Sequence, residues 1–117
     1  MIETRDIQIR VQSDNDGVES IAWRADDSEH PAFQDAHAFI LALWDASNQE
    51  ALRIDLWTKE LTVDDMNDFF FRTLMTMADT YKSATQNNIL AADMKIFAQD
   101  FARKAAEHQR KLHGIPN

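Results

Sequence analysis

The fold is decided by two apolar runs, "AFILALW" (residues 38–44) and "ALRIDLW" (residues 51–57), and by the polar connection "DASNQE" (residues 45–50) between them. Short apolar runs that flank turn-forming residues predict two strands joined as a hairpin. If Trp44 faces Ala51, one side of this hairpin becomes wholly apolar, and we expect that side to be core. Its facing pairs are Leu43 with Leu52, Leu41 with Ile54, and Phe39 with Leu56. The alanines in residues 33–44 also permit a helix, but the matched apolar face of the opposite run favours a strand.

The other side of this hairpin is mixed. Arg53, Asp55 and Trp57 lie at alternate positions of the second strand, and Trp44 lies on the same side of the first strand. Arg53 and Asp55 can pair with each other or with a neighbouring strand. The pair is then either a structural ion pair that shields the tryptophans or part of a recognition surface, since tryptophan and arginine dominate many protein interfaces.

An earlier segment also has the period of strands. Ile7, Ile9 and Val11 alternate with polar residues, "SDNDG" (residues 13–17) supplies turn residues, and Ile21 and Trp23 restart the alternation. This pattern predicts a first hairpin. Residues 26–31 are polar and end in a proline, which is typical of a loop.

The second half of the chain has helical periodicity. Thr62 precedes Asp64, Asp65 and Asp68, which is the composition of a helix N-terminus. Asn87 or Asn88 can cap a second helix, which Gly114 and Pro116 end. The apolar stripe of the first helix contains Met66, Phe69, Phe70, Leu74, Met77 and Tyr81, and a flank beside it contains Phe71, Met75 and Ala78.

These patterns predict an α+β fold of ββββαα order, in which a four-stranded, mainly antiparallel sheet is followed by two C-terminal helices packed on it. We expect strands within residues 3–58 and helices at residues 63–84 and 88–112. A chain of 117 residues fits a single domain, residues 1–117.

Composition excludes several classes of protein. Twelve basic against twenty acidic residues leave a formal charge of −8, which disfavours nucleic acid as a partner. The chain has no cysteine, so it has no disulfide or thiolate chemistry. Its apolar runs are too short to span a bilayer, and its N-terminal residues do not resemble a signal peptide. We therefore predict a cytoplasmic protein that is not inserted in a membrane.

Motifs of catalysis are also missing from the sequence. Glycine occurs only at positions 17 and 114, so there is no phosphate-binding loop. His108 and His113 are five residues apart, whereas two metal ligands on one helix face are four apart. The acidic residues after Thr62 fit a helix start better than a metal site. We expect no enzyme activity, no metal and no cofactor.

Several segments together resemble the gliding motility protein GldC family. The resemblance extends over most of the chain and leaves out residues 27–36 and the tail from His108. The most specific part is residues 53–65, because no general propensity requires that order of residues. The segments are "IAW" (residues 21–23), "AFILALWD" (38–45), "LRIDLWTKELTVDDM" (52–66), "FFFRTLMTMADTY" (69–81) with Ala84 and Thr85, and "MKIF" (94–97). The resemblance implies a cytoplasmic accessory protein of gliding bacteria that is not itself a motor or an enzyme.

Three functional hypotheses follow. The first is a protein-interaction module, with motility components as the implied partners, whose binding residues are Trp44, Arg53, Asp55 and Trp57, with Trp23 nearby. The second is a structural homo-oligomer formed through Phe71, Met75 and Ala78. The third is an enzyme or small-ligand-binding protein that uses Asp55 and His37, although the predicted register puts these two side chains on different faces.

Overall fold

The structure is a computed structural model, and it describes residues 1–26, 29 and 32–114. Five strands come first and two helices follow, which confirms the α+β class and the two C-terminal helices, whereas four strands were predicted. The chain divides into two compact units, Met1–Leu61 and Thr62–Asn117. Two expectations stay predictions: that the chain is a single domain, and that the helices pack on the sheet. The elements are β1 (Ile7–Asp14), β2 (Gly17–Ala25), β3 (Gln34–Ala36), β4 (Ala38–Asp45), β5 (Glu50–Trp57), α1 (Val63–Thr85) and α2 (Asn88–Leu112).

The first hairpin is confirmed. β1 and β2 are antiparallel, and Ile9 faces Trp23 while Val11 faces Ile21. The Asp14 carboxylate accepts a hydrogen bond from the Asp16 backbone N–H at 2.8 Å, which shapes the turn. Gly17 completes the turn with a φ of 136°, a conformation that side-chain-bearing residues rarely adopt.

The prediction of one four-stranded sheet is wrong. The strands form a three-stranded sheet of order β1-β2-β3 and a two-stranded sheet of β4 and β5. β3 pairs with β2, and His37 separates it from β4. The sequence analysis favoured one strand over residues 33–44, and it did not indicate the break at His37 because no turn-forming residue marks it. Part of the predicted loop at residues 26–31, namely Asp27, Ser28, His30 and Pro31, lies outside the described residues.

The second hairpin has the predicted register. Trp44 faces Ala51, Leu43 faces Leu52, Leu41 faces Ile54 and Phe39 faces Leu56. Its loop is shorter than predicted, because Asp45 and Glu50 still pair. The Asp45 carboxylate accepts hydrogen bonds from the Ser47 backbone N–H at 3.0 Å and the Asn48 side-chain amide at 2.9 Å. Gln49 closes the loop with a left-handed φ of 53°.

The expectation that the apolar side of this hairpin is core stays a prediction, because within the unit Met1–Leu61 the two strands form a single layer. We call this side the apolar face, and its residues are Phe39, Leu41, Leu43, Leu52, Ile54 and Leu56. Phe39 and Leu56 are half-buried, whereas the other four side chains are between 37% and 56% exposed. Facing apolar pairs set the register, but a two-stranded sheet has only one layer and cannot bury both of its own faces.

A lysine connects the end of β5 to the first hairpin. The Lys59 backbone N–H donates to the Val18 carbonyl at 3.0 Å. Its ammonium lies 2.7 Å from Asp14 Oδ2 and 2.8 Å from Glu19 Oε2. The hydrogen bond to Asp14 and the second one to Glu19 raise the pKa of Lys59. The hydrogen bond from Lys59, together with the one from the Asp16 backbone N–H, lowers the pKa of Asp14.

The helical unit begins where the sequence predicts. Thr62 Oγ1 accepts the Asp65 N–H at 3.0 Å while the Asp65 carboxylate accepts the Thr62 N–H at 3.2 Å, which is a reciprocal capping box. Gln86 ends α1 in a left-handed conformation, and Asn87 caps α2 by accepting the Leu90 N–H. Both helices agree with the predicted bounds within one residue. Pro116 lies outside the described residues.

The two helices form an antiparallel pair. Gln109, late in α2, donates to the Asp64 carboxylate at the start of α1, at 3.1 Å. Lys95 lies 2.8 Å from Asp79. Ala78, Ala91 and Ala98 are buried at 0 to 4% exposure, and small side chains allow helices to approach closely.

We expect Thr62→Ala to lower the free energy of unfolding by about 1 kcal/mol, because it leaves the Asp65 N–H without its cap. Urea denaturation followed by far-UV circular dichroism measures this loss. Thr62→Ser retains the hydroxyl and should stay close to wild type. Equal losses in both variants would show that the hydroxyl does not stabilise the helix.

We expect Asp14→Asn to lower the melting temperature at pH 7. Asparagine keeps an oxygen for the Asp16 N–H but removes the charge that faces Lys59. Because folding lowers the pKa of Asp14, its contribution is present at neutral pH and is lost as the pH falls through the folded-state pKa. The difference from wild type should therefore shrink below about pH 4.

The control for this experiment is Asp16→Asn, an acid of the same turn that forms no ion pair with any residue of the described ranges. Thermal melts between pH 3 and pH 8 follow both variants. A wild-type advantage over Asp14→Asn that stays constant across this range would contradict the role given to the Asp14 charge.

Candidate partner-binding face

The tryptophan face is the side of the second hairpin opposite the apolar face, and we define it by Trp44, Arg53, Asp55 and Trp57. Its positions follow from the hairpin register, because residues that alternate along a strand point to the same side. Small or aliphatic residues face these four across the ladder: Ala51 faces Trp44, Ala42 faces Arg53, Ile40 faces Asp55 and Ala38 faces Trp57. The structure thus brings together all four residues that the sequence analysis placed on this side.

Both tryptophans of this face are accessible. Trp44 is 68% exposed and Trp57 is 54% exposed, and Ile40 between them is 37% exposed. Ala38, which faces Trp57, is six residues from Trp44 along β4, so the two indoles are attached about 20 Å apart. The face therefore presents one large aromatic side chain near each end of the hairpin.

Arg53 and Asp55 lie between the two tryptophans and pair with each other. Arg53 Nε is 2.9 Å from Asp55 Oδ2, and the two side chains are 67% and 37% exposed. An ion pair this exposed contributes little to folding stability. It also leaves both indoles more than half exposed, so it does not shield them in the way that a purely structural role requires.

Trp23 lies in the other sheet. It is on β2, where it faces Ile9 of β1 and Gln34 of β3, and it is half-buried. Trp23 was predicted to lie near the tryptophan face. In the structure it lies in a different sheet, and it is less exposed than Trp44 and Trp57. Its part in binding stays a prediction.

The residues of the oligomerisation hypothesis lie on α1. Phe71 and Met75 are half-buried, while Ala78 is fully buried and offers no surface to a second molecule. Phe71 also lines a small cavity of about 200 Å³ in the helical unit, with Asp64, Asn67 and Asp68 and three alanines of α2. The hypothesis itself stays a prediction.

His37 and Asp55 do not form a catalytic pair. The His37 carbonyl accepts the Thr58 N–H at 2.9 Å, which sets His37 beside Thr58 in the ladder. Asp55 is three residues before Thr58, so its side chain points to the opposite face, as the sequence predicted. The Asp55 carboxylate is instead paired with Arg53.

A larger groove lies between the two helices. Its volume is about 410 Å³, and its walls are Leu74, Tyr81, Leu90, Asp93, Met94 and Phe97. Asp93 and Tyr81 are the polar members of this lining, which lacks the several convergent polar groups of a typical ligand site. Across residues 1–26, 29 and 32–114, no group of three or more His, Cys, Asp or Glu side chains is arranged to hold a metal ion.

The sequence did not indicate the Lys59 bridge to Asp14 and Glu19. This bridge joins residues 40 or more positions apart and leaves no local signal.

Neither helix of the described chain is long and apolar enough to cross a membrane. A search of curated proteins and a search of solved structures each found no match. A family model, described as gliding motility-associated protein GldC-like, matches residues 18–107. The match runs from the start of β2 into α2, so it contains the whole second hairpin and α1, and it ends just before His108. Since this model covers well over half of the sequence, the chain belongs to the GldC-like family of gliding motility-associated proteins.

Proposed function

We propose that this protein is a non-enzymatic, cytoplasmic accessory protein that acts by binding a protein partner through its tryptophan face. The observation that carries the proposal is the exposure of Trp44 and Trp57 on one face, at 68% and 54%. Membership of the GldC-like family directs the search for the partner toward components of gliding motility. The absence of cysteine accords with a reducing compartment.

The two tryptophans are the expected energetic anchors. A tryptophan buries on the order of 200 Å² when it is fully covered, so covering the exposed half contributes roughly 2–3 kcal/mol per side chain. Contributions of this size define interface hot spots, which are rich in tryptophan and arginine. Two anchors about 20 Å apart suit a partner surface with two apolar recesses.

The ion pair between the anchors has a different role in this proposal. In the free protein, water solvates Arg53 and Asp55, and their attraction is weak. When a partner excludes that water, each charge needs a hydrogen-bonding group on the partner. A partner that lacks such a group leaves a buried charge unpaired, which lowers its affinity. We infer that this pair selects the orientation of the partner and that the tryptophans supply most of the affinity.

The charge of the chain supports a protein as the partner. The formal charge of −8 repels phosphate backbones and anionic lipid headgroups. The tryptophan face itself carries one positive and one negative side chain, so it has no net charge to attract a polyanion. Its chemistry fits a mixed apolar and polar protein surface.

We expect Trp57→Ala and Trp44→Ala each to weaken partner binding by about 30-fold or more, which corresponds to about 2 kcal/mol. The measurement is quantitative pulldown with purified tagged protein from lysate of the source cells. The same captured species must be followed across all variants. Its recovery should fall, while the thermal melt of each variant stays within a few degrees of wild type.

The matched control is Ile96→Ala, because Ile96 is 63% exposed and lies on α2. It removes a comparably exposed apolar side chain from a different surface and should leave recovery unchanged. Arg53→Ala should reduce recovery less than the tryptophan variants do, and it should raise retention of non-cognate proteins. Unchanged recovery in both tryptophan variants would refute the proposal.

A further inference from the structure

A residue outside the tryptophan face holds the place where β5 ends. Lys59 follows Trp57 by two positions, and its backbone N–H donates to the Val18 carbonyl of β2 at 3.0 Å. The residue between them is Thr58, whose N–H donates to the His37 carbonyl at 2.9 Å. The backbone just after Trp57 is therefore attached to two segments outside the second hairpin.

The side chain of Lys59 reinforces this attachment. Its ammonium lies 2.7 Å from Asp14 Oδ2 and 2.8 Å from Glu19 Oε2, so one cation connects two carboxylates of the first hairpin. We call this group of three charges the lysine bridge. All of it lies in the unit Met1–Leu61, so the bridge is internal to that unit.

β2 contains a bulge at the position where the lysine bridge is built. Glu19 has no partner on β1, because the residues on either side of it, Val18 and Ser20, pair with consecutive residues of that strand. Bulges re-aim side chains and are frequent next to functional sites. Here the bulged residue is the one whose carboxylate binds Lys59. An irregularity of the strand thus coincides with the bridge, which distinguishes it from an ordinary surface ion pair.

The lysine bridge acts on local order more than on the stability of the whole fold. Exposed ion pairs contribute little to global stability, and the side chains of Lys59 and Asp14 are 34% and 48% exposed. The ends of strands, however, open locally at a free-energy cost far below that of global unfolding. A small contribution therefore changes the open fraction of the end of β5 by several-fold.

Trp57 is the residue of the tryptophan face that such an opening affects first. It is the last residue of β5 and pairs with Ala38. When the strand end opens, the indole loses its fixed direction, and a partner must order it again on binding. A strand end that is held closed presents the indole in one orientation before binding, which raises the affinity by preorganisation.

We propose that Lys59 is a positioning residue for partner binding, because the lysine bridge holds the end of β5 closed and thereby fixes the orientation of Trp57. This inference rests on the proposed function, since it takes Trp57 as an anchor of the partner. It goes further in one respect. The affinity of the tryptophan face is regulated by the charge of a residue that lies outside that face.

The fluorescence of Trp57 tests the positioning directly. In a background of Trp23→Phe with Trp44→Phe, Trp57 is the only tryptophan of the chain. We expect Lys59→Gln to lower the steady-state anisotropy and the near-UV circular dichroism of Trp57. Lys59→Arg keeps a cation that binds carboxylates and should retain both signals.

The matched control is Lys95→Gln, which breaks an ion pair of 2.8 Å between Lys95 and Asp79 on the helices. It removes a paired lysine from a different surface and should change neither signal. Hydrogen exchange of the Thr58 amide follows the opening of the strand end in the same variants. We expect it to become about 5-fold faster in Lys59→Gln and to stay unchanged in Lys95→Gln. If Lys59→Gln fails to fold, Glu19→Gln removes a single carboxylate of the bridge and should shift both readouts in the same direction by less.

A double-mutant cycle in the pulldown described above tests the effect on binding. Lys59→Gln alone should lower the recovery of the followed species by about 5-fold, and Lys59→Arg should restore it. Added to Trp57→Ala, Lys59→Gln should lower recovery no further, because the bridge acts through the indole.

Three results would overturn the inference. One is a Trp57 signal that is the same in Lys59→Gln as in the wild type. Another is an equal loss in Lys59→Arg, which would make the charge irrelevant. The third is a full additional loss when Lys59→Gln is combined with Trp57→Ala. Unchanged recovery in Trp57→Ala alone has a different meaning. It refutes the proposed function and with it the binding role of Lys59, while the anisotropy still decides whether the bridge orients the indole.

Discussion

The pairing register of β4 and β5 is the constraint on which both faces of the second hairpin depend. Each step along a strand reverses the side of the side chain, so the single pairing of Trp44 with Ala51 assigns every other residue of the hairpin to a face. It collects six apolar side chains on one side. On the other side it collects two tryptophans and an arginine-aspartate pair. A shift by one residue would exchange these sets on one strand and destroy both faces.

Local interactions hold this hairpin in its register and attach it to the first sheet. Asp45 accepts backbone and side-chain hydrogen bonds that shape the connecting loop, and Gln49 adopts a left-handed conformation that completes it. At the other end, Thr58 bonds to His37 and Lys59 bonds to Val18, while the Lys59 ammonium reaches Asp14 and Glu19. Both ends of β5 are thereby anchored, whereas the middle of the hairpin is defined by its own side chains.

The two faces of the second hairpin differ in composition. Aromatic side chains with a hydrogen-bonding charge pair offer affinity together with orientation, which is the composition of a recognition surface. The opposite, uncharged aliphatic face offers apolar area to whatever layer packs on it, and burying that area stabilises a two-stranded sheet.

Features that depend on neighbours along the chain could be predicted from the sequence. The hairpins, the register of β4 with β5, the Thr62 cap and both helices were predictable because each depends on neighbours along the chain or on the alternation of apolar residues. The pairing of β3 with β2 was not predictable, since its three residues carry no apolar pattern that selects a partner strand. The break at His37, which separates two sheets where one was predicted, has the same origin.

The sequence by itself determined which side chains share a face, because the two-residue period of a strand and the facing of apolar pairs are local properties. It also determined membership of the GldC-like family, which residues 18–107 carry. Only the tertiary structure decided which faces are covered. Burial depends on what packs above a strand, and periodicity reports only that a side is apolar. The sequence therefore assigns Leu43 and Trp44 to the correct sides of the hairpin. The exposed fractions, 56% for Leu43 and 68% for Trp44, come from the three-dimensional arrangement alone.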